Sequence, residues 1–303
     1  MDESGDAESG DDERPMRFRV APGALYVVAT PLGNLRDLTL RAQDVLAGVD
    51  IIAAEDTRVT GVLLRHYGIT TRPLSLHEHN EAARATQIVA QLGAGRSVAL
   101  VSDAGTPAVS DPGAHLVRAV RDAGFPVVPI PGANAAIAAI SAAGLVAGQF
   151  LFLGFLPKAA KARRELLAAV ARLPVALVVY EAPHRVRDTV AQLADELGGE
   201  RTLVVARELT KKFESITRTT LNEAPAWFAA DPNHERGEFV LLVDAPPETA
   251  AIAGEPELDL RRLLAALVAE LPPARAARVA AAATGLPRDA IYAQALALKS
   301  ERR

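Results

Sequence analysis

The chain has 303 residues, half of them hydrophobic and 23% charged, which is apolar material for about two compact domains. It contains no cysteine, so disulfides, thiolate metal sites and a cysteine nucleophile are excluded. Formal net charge is −4, but seven acids and no base stand in the first thirteen residues. Setting those seven aside leaves +3, a mildly basic body that permits a nucleic-acid partner without demanding one.

Residues 1–21 predict a disordered acidic tail, lacking the basic start and apolar run of a secretory signal. No stretch reaches the ~18 consecutive apolar residues of a membrane span, and a cytoplasmic protein with no membrane partner is expected. The body opens at residue 22. Leu25–Ala29 is a buried strand ended by Pro31 and Gly33, then a helix spans 38–46 and a strand 49–54. Helices near 58–67 and 80–92, a strand at 97–101, a helix at 113–123, a strand at 126–130 and a helix at 133–143 follow. Strands alternating with helices of this length predict a largely parallel sheet covered on both faces, with a first α/β domain over 22–134.

A second α/β domain is expected over 135–245. Its strands are Phe150–Leu153, Val175–Tyr180, Thr202–Ala206 and a closing Phe239–Val243; its helices are a basic one over 158–172 and another over 184–197. Asp244 to Glu257 is rich in Ala, Pro, Glu and Gly and reads as a linker. Residues 257–303 form a last module. Helices over 258–270 and 273–283 stop at Thr284-Gly285, and Pro287 opens a third. This is the outline of a helix-turn-helix; a helical cap used for packing or dimerisation is the alternative.

No Gly-x-Gly-x-x-Gly follows a strand and opens a helix, and no phosphate-binding Gly-x-x-x-x-Gly-Lys occurs, which argues against a common dinucleotide enzyme or a P-loop NTPase. His77-Glu78-His79 is the nearest approach to a metal cluster, but adjacent side chains point apart, so no metal is expected. The informative residues lie at strand C-termini, where open α/β sheets bind ligands. The strand at 98–101 runs into Ser102-Asp-Ala-Gly-Thr-Pro107, where Gly105 permits close backbone approach and Asp103 can face a cation. Asp111 before Pro112 also fits a helix cap. Thr30-Pro-Leu-Gly-Asn34 and Pro131-Gly-Ala-Asn134 end two further strands, and three such turns on one sheet edge predict a small-ligand cleft. Glu55-Asp-Thr-Arg58, Tyr180-Glu-Ala-Pro-His-Arg185 and Arg207-Glu-Leu-Thr-Lys-Lys-Phe-Glu214 add charge after other strands, for phosphate contact or as ion pairs among Glu181, Arg185, Arg207 and Glu208.

Together these stretches resemble the tetrapyrrole-methylase superfamily, and within it the ribosomal RNA small subunit methyltransferase I type. The matching segments run in order from Tyr26-Val-Val-Ala-Thr-Pro-Leu-Gly-Asn-Leu35 through Ala54-Glu-Asp-Thr-Arg58, Ser75-Leu-His-Glu-His-Asn-Glu81, Leu100-Val-Ser-Asp-Ala-Gly-Thr-Pro107 and Pro131–Asn134. They continue with Gly154-Phe-Leu-Pro157, Tyr180–Arg185, Arg207–Lys211 and Gly237-Glu-Phe-Val240. The resemblance implies two α/β domains with a cleft between them for S-adenosyl-L-methionine, a homodimer, and 2′-O-methylation of a cytidine ribose in the decoding region of 16S rRNA in the small ribosomal subunit. It marks Ser102, Asp103, Ala104, Gly105 and Thr106 as cofactor contacts, with Pro31, Gly33, Ala133, Ala182 and Pro183 as cleft neighbours.

Methyl transfer from a sulfonium mainly needs alignment, but a ribose hydroxyl also needs a base or a cation for the developing alkoxide. Arg185 or Lys211 is expected to stabilise the oxygen or grip a phosphate, and Glu208, Glu55 or Glu78 to take the proton. Lys158, Lys161, Arg163, Arg164 and Lys212, with Arg58, form a candidate RNA track. A small-molecule tetrapyrrole methylase, a methylase acting on a protein residue and a non-catalytic RNA-binding assembly factor are the rival readings.

Overall fold

The computed structural model describes residues 18–77, 79–246, 260–284 and 286–301. The acidic tail up to residue 17, most of the 244–257 linker and Glu78 lie outside them. Phe18 to Ala21, expected as the end of the tail, instead pack on the first domain. Phe18 meets the Tyr26 ring edge-on at 6.1 Å and lies under the Arg41 guanidinium, and its backbone N–H donates to Asp44. An aromatic side chain that finds apolar and cationic partners orders the chain there.

The first sheet contains β1 (Leu25–Val28), β2 (Ile51–Ala54), β3 (Pro73–Ser75), β4 (Val98–Val101) and β5 (Val127–Ile130) in the order β3-β2-β4-β1-β5, all parallel. Successive side chains point to opposite faces, so the continuous apolar runs feed two cores. Tyr26, Val28, Ile52, Ala99 and Val101 pack on one face against α1 (Leu40–Gly48) and α2 (Thr57–His66). Leu25, Ala53, Val98 and Leu100 pack on the other against α3 (Glu81–Gly93) and α4 (Ala114–Asp122).

Asp111 does not cap α4. The N-cap is Gly113, at φ +129°, and the orphan N–H groups of Gly113, His115 and Leu116 all donate to Glu81 Oε1, at 2.9–3.1 Å. A long carboxylate from the neighbouring helix does what the short local one was expected to do, and leaves Asp111 available elsewhere.

The helix α5 (Ala135–Ala143) follows β5 in sequence but buries Ala136, Ala139 and Ala143 against the second sheet, so the chain crosses between domains at Asn134. That sheet has the order β6-β7-β10-β8-β9, with β6 (Phe150–Phe155), β7 (Ala176–Glu181), β8 (Thr202–Arg207), β9 (Ser215–Thr220) and β10 (Phe239–Val243). It is mixed: β6 and β7 are parallel, while β10 lies antiparallel between β7 and β8. Helices α6 (Ala160–Val170), α7 (Val186–Leu197) and α8 (Ala224–Ala230) cover the other face through Leu167, Leu193 and Phe228. Strand β9 was not expected from the sequence because Ser-Ile-Thr-Arg-Thr-Thr is a polar edge strand without an apolar run.

Arg163, expected on the RNA track, is a correction: it faces inward, buried, with its Nε donating to Gln192 Oε1. Its i, i+4 partner on the inner face is Leu167, and the helical period carries it into the core with that residue. In the last module α9 (Leu260–Glu270), α10 (Pro273–Thr284) and α11 (Arg288–Glu301) enclose their own small core of Leu264, Ala276, Ala277, Ala280, Ile291 and Ala295. No helix among the described residues is long and apolar enough to cross a membrane.

Candidate active site

The turns after β1, β4 and β5 are tied together where the first sheet ends. Thr30 and Gly105 exchange backbone hydrogen bonds of 2.8 and 3.0 Å, Thr30 Oγ1 donates to the Ser102 carbonyl at 3.1 Å, and Thr106 Oγ1 donates to the Ala133 carbonyl at 3.0 Å. Gly105 sits at φ +78°, where a side chain is strained, and a Cβ there would stand 3.2 Å from Leu32.

These turns form one wall of a cleft of about 420 Å³, within the usual range of small-molecule sites. Leu32, Glu55, Asp103 to Thr106 and Val109 to Asp111 come from the first domain; Asn134, Ala135, Phe155, Tyr180 to Pro183, Leu209 and Glu238 to Val240 face them from the second. Asp103, Ala104, Gly105, Thr106, Ala182 and Pro183 thus line the cleft. Ser102 lies buried behind it, its hydroxyl donating to the Ala104 carbonyl at 3.3 Å. Pro31, Gly33 and Ala133 flank lining residues rather than lining it themselves.

Arg185, Lys211 and Glu208 stand back from the cavity. Arg185 Nη2 donates to the Leu156 carbonyl at 2.8 Å and its Nε pairs with Glu181 at 3.3 Å. Lys211 Nζ pairs with Glu208 and Glu238, each at 2.9 Å. Burial raises the Glu208 carboxyl, but the Lys211 ammonium and the Glu238 N–H outweigh it and the net shift is downward. Arg58 is exposed and bound to Asp56, while Arg164 pairs with Glu196 at 3.0 Å and Lys161 with Glu165 at 3.9 Å. Lys158 is exposed, and Lys212 lies over the Phe213 ring.

Sequence reasoning did not single out Val109, Ser110, Phe155, Leu209 or Glu238 as cleft residues. A signal existed for Phe155. Gly154 lies inside a strand, at φ +63°, where the register with β7 shifts. A Cβ at Gly154 would stand 2.7 Å from Ser110 Oγ, so the glycine lets the two domains meet beside the cleft.

The cleft is acidic. Burial first, then the charge of Glu55, raises Asp111 to about 6; burial also raises Glu55 and Asp103. Asp56, just outside, is held down to about 2 by its hydrogen bonds with Arg58. Burial raises Tyr180, whose hydroxyl accepts the Ala136 N–H at 3.1 Å.

Residues 24–225 match the family model Tetrapyrrole (Corrin/Porphyrin) Methylases, and residues 254–299 match that of the RsmI C-terminal HTH domain. The chain is 49% identical over 276 residues to Ribosomal RNA small subunit methyltransferase I of Escherichia coli O157:H7, covering 90% of this chain and 95% of that one. It is 48% identical over 280 residues to the protein of the same name from Pseudomonas aeruginosa, covering 91% and 98%. The cobalamin biosynthetic cobalt precorrin-4 methyltransferase CbiF shares the fold at a TM-score of 0.56 and 15% identity, over 73% of this chain and 94% of that one. The methyltransferase CobJ does so at 0.56 and 24%, over 74% and 94%.

The methyl donor of this family is S-adenosyl-L-methionine, which carries a sulfonium, an ammonium and a purine. The cleft fits such a molecule: Glu55 and Asp103 line it with carboxyls that suit a cation, and Leu32, Val109, Phe155 and Leu209 supply apolar wall beside the open backbone at Gly105. The chain belongs to the tetrapyrrole methylase family and, within it, to the group of the ribosomal RNA small subunit methyltransferase I proteins.

Proposed function

We propose that this protein transfers a methyl group from S-adenosyl-L-methionine to the ribose 2′-oxygen of a cytidine in the decoding region of 16S rRNA. The observation that carries the reading is a carboxylate-lined apolar cleft in a chain that also bears the C-terminal domain of the ribosomal RNA methyltransferase relatives. When bound, the cofactor supplies an already activated methyl group, so the chain's residues mainly align, desolvate and take up a proton.

Asp103, Ala104, Gly105, Thr106, Ala182 and Pro183 hold the cofactor in this reading, with Ser102, Pro31, Gly33 and Ala133 shaping the turns that carry them. Arg185, Lys211 and Glu208 act by positioning, since their polar atoms are engaged with protein partners. Arg58, Lys158, Lys161, Arg164 and Lys212 are exposed cations for the RNA backbone. The protein works in the cytoplasm as a homodimer, a stoichiometry that light scattering on the purified chain reads directly.

The test is tritium transfer from labelled S-adenosyl-L-methionine to isolated small subunits, followed by digestion to nucleosides. Label in a 2′-O-methyl nucleoside supports the proposal. Label in a methylated base overturns the ribose assignment. No label with tight RNA binding favours a non-catalytic assembly factor, and transfer only to a tetrapyrrole favours the small-molecule reading.

A further inference from the structure

We propose that Asp111 is the general base of the reaction, its carboxylate accepting the proton of the acceptor hydroxyl as the methyl group arrives. The inference rests on the reading above that the acceptor is a hydroxyl. In that step the new O–C bond forms while the C–S bond of the donor breaks. The broken bond's electron pair stays on sulfur, and the hydroxyl proton passes to an Asp111 carboxyl oxygen.

The other carboxylates of the cleft are engaged. Glu181 is buried, accepts from the Ala182 N–H at 2.9 Å and from Thr189 Oγ1 at 2.6 Å, and pairs with Arg185. Glu238 holds Lys211, and Asp103 accepts the Asp56 N–H at 2.9 Å. Glu55 faces the Asp103 N–H at 3.4 Å. Asp111 has neither an ion pair nor a backbone N–H donor among the described residues; its polar partner is the Ser102 hydroxyl.

Its surroundings keep it a proton acceptor. The Ser102 hydroxyl, Glu55 and Asp103 face it from its own domain, and Tyr180 from the other. None of these is a cation. Desolvation among neutral and negative neighbours favours the protonated form, and a base poised near the working pH is the effective kind.

The backbone fixes this placement at a cost. Ala108 and Ser110 both lie in the left-handed region, at φ +64° and +65°, although neither is glycine. Two strained residues within three positions of a cleft carboxylate persist only where the surroundings over-determine them. Across the domain boundary Ser110 sits close against Gly154, where a Cβ would stand 2.7 Å from Ser110 Oγ, and Asp111 lines the same cleft as Phe155 and Tyr180 of the opposite wall.

The experiment measures single-turnover methylation of isolated small subunits by the full chain at saturating S-adenosyl-L-methionine across pH, with calorimetric binding of the cofactor alone. The wild-type rate is expected to rise with pH along an acidic limb, centred below Asp111's own value of about 6 because a bound sulfonium favours the carboxylate. D111N is expected to bind the cofactor within about threefold of wild type, yet to lose about 100-fold or more in rate together with the acidic limb. E55Q is expected to move that limb to lower pH, because Glu55 raises Asp111; a merely structural Asp111 would not respond this way. Should D111N fail to fold, D111S and the E55Q profile carry the test.

A D111N rate within about threefold of wild type with the limb intact overturns the assignment. So does a loss of cofactor affinity beyond about tenfold, which would make Asp111 a cofactor ligand. Nucleoside analysis of the wild-type product separates the failures: a methylated base defeats the hydroxyl reading itself, whereas a 2′-O-methyl product made at full rate by D111N defeats only the base assignment.

Discussion

Lys211 lies across Gly33: a Cβ at residue 33 would stand 2.4 Å from Lys211 Cγ, so the turn after β8 in the second domain rests on the turn after β1 in the first. The ammonium then reaches Glu208 and Glu238. Glu208 finds room only because Gly237, at φ +92°, has no side chain; a Cβ there would stand 2.4 Å from Glu208 Cγ. The result is a strap over the edge of the cleft, with Leu32 and Leu209 on its inner side.

Gly33→Ala should therefore displace the Lys211 stem and break both of its ion pairs. Because Gly33 has ordinary negative-φ backbone and the pairs are partly exposed, stability should fall by no more than about 1 kcal/mol. Cofactor affinity should drop by up to about tenfold, since the strap no longer fixes Leu32 and Leu209. Calorimetric titration alongside a thermal melt separates the two effects.

The cap that Glu81 places on α4 predicts a large stability effect far from the chemistry. Glu81→Ala leaves three N–H groups in a buried site without an acceptor and should cost about 2–4 kcal/mol. Glu81→Gln keeps an oxygen in place and should cost about 1 kcal/mol, the difference made by the lost charge. Urea unfolding midpoints at neutral pH measure both.

Asp111 makes stability depend on pH in a definite direction. Its folded pKa is about 6 against an ordinary 3.8, so the native state binds this proton more readily than the unfolded chain. The stabilisation is complete below about pH 4 and is lost as pH rises through 6. Asp111→Asn should thus be more stable than wild type at pH 8, by about 1–2 kcal/mol after discounting for partial exposure, and nearly equal to it at pH 4. Denaturation curves at the two pH values test the sign.

Two cations five residues apart, Lys158 just before α6 and Arg163 within it, should behave differently. Lys158→Glu should weaken binding to 16S rRNA and lower the salt slope by about one, leaving stability unchanged. Arg163→Ala should leave RNA affinity alone and cost about 1–3 kcal/mol, because Gln192 loses its buried donor. Filter binding at several salt concentrations, with a melt for each variant, distinguishes them.

The sequence alone determined the alternation of strands and helices, the all-apolar strands of the first sheet, and the cleft loop at 102–107, because each follows from local rules of period, burial and glycine placement. The three turns at 30–34, 102–107 and 131–134 were legible as one site for the same reason: parallel strands deliver their C-terminal loops to one edge. Helix α6 was legible as a helix but not in its facing. Its arginines at 163 and 164 are one residue and about 100° apart, and only the position of α7 decided that the first points inward.

What only the tertiary structure decided are the pairings between segments distant in the chain. Glu81 and not Asp111 caps α4, α5 joins the second sheet rather than the first, and Gly33 and Gly154 matter for what crosses them from the other domain. The environment of Asp111 belongs to the same class. A carboxylate's proton affinity is set by burial and by neighbouring charges, here Glu55 after β2 and Asp103 after β4, and no local pattern around Asp111-Pro112 encodes which of these the fold will set beside it.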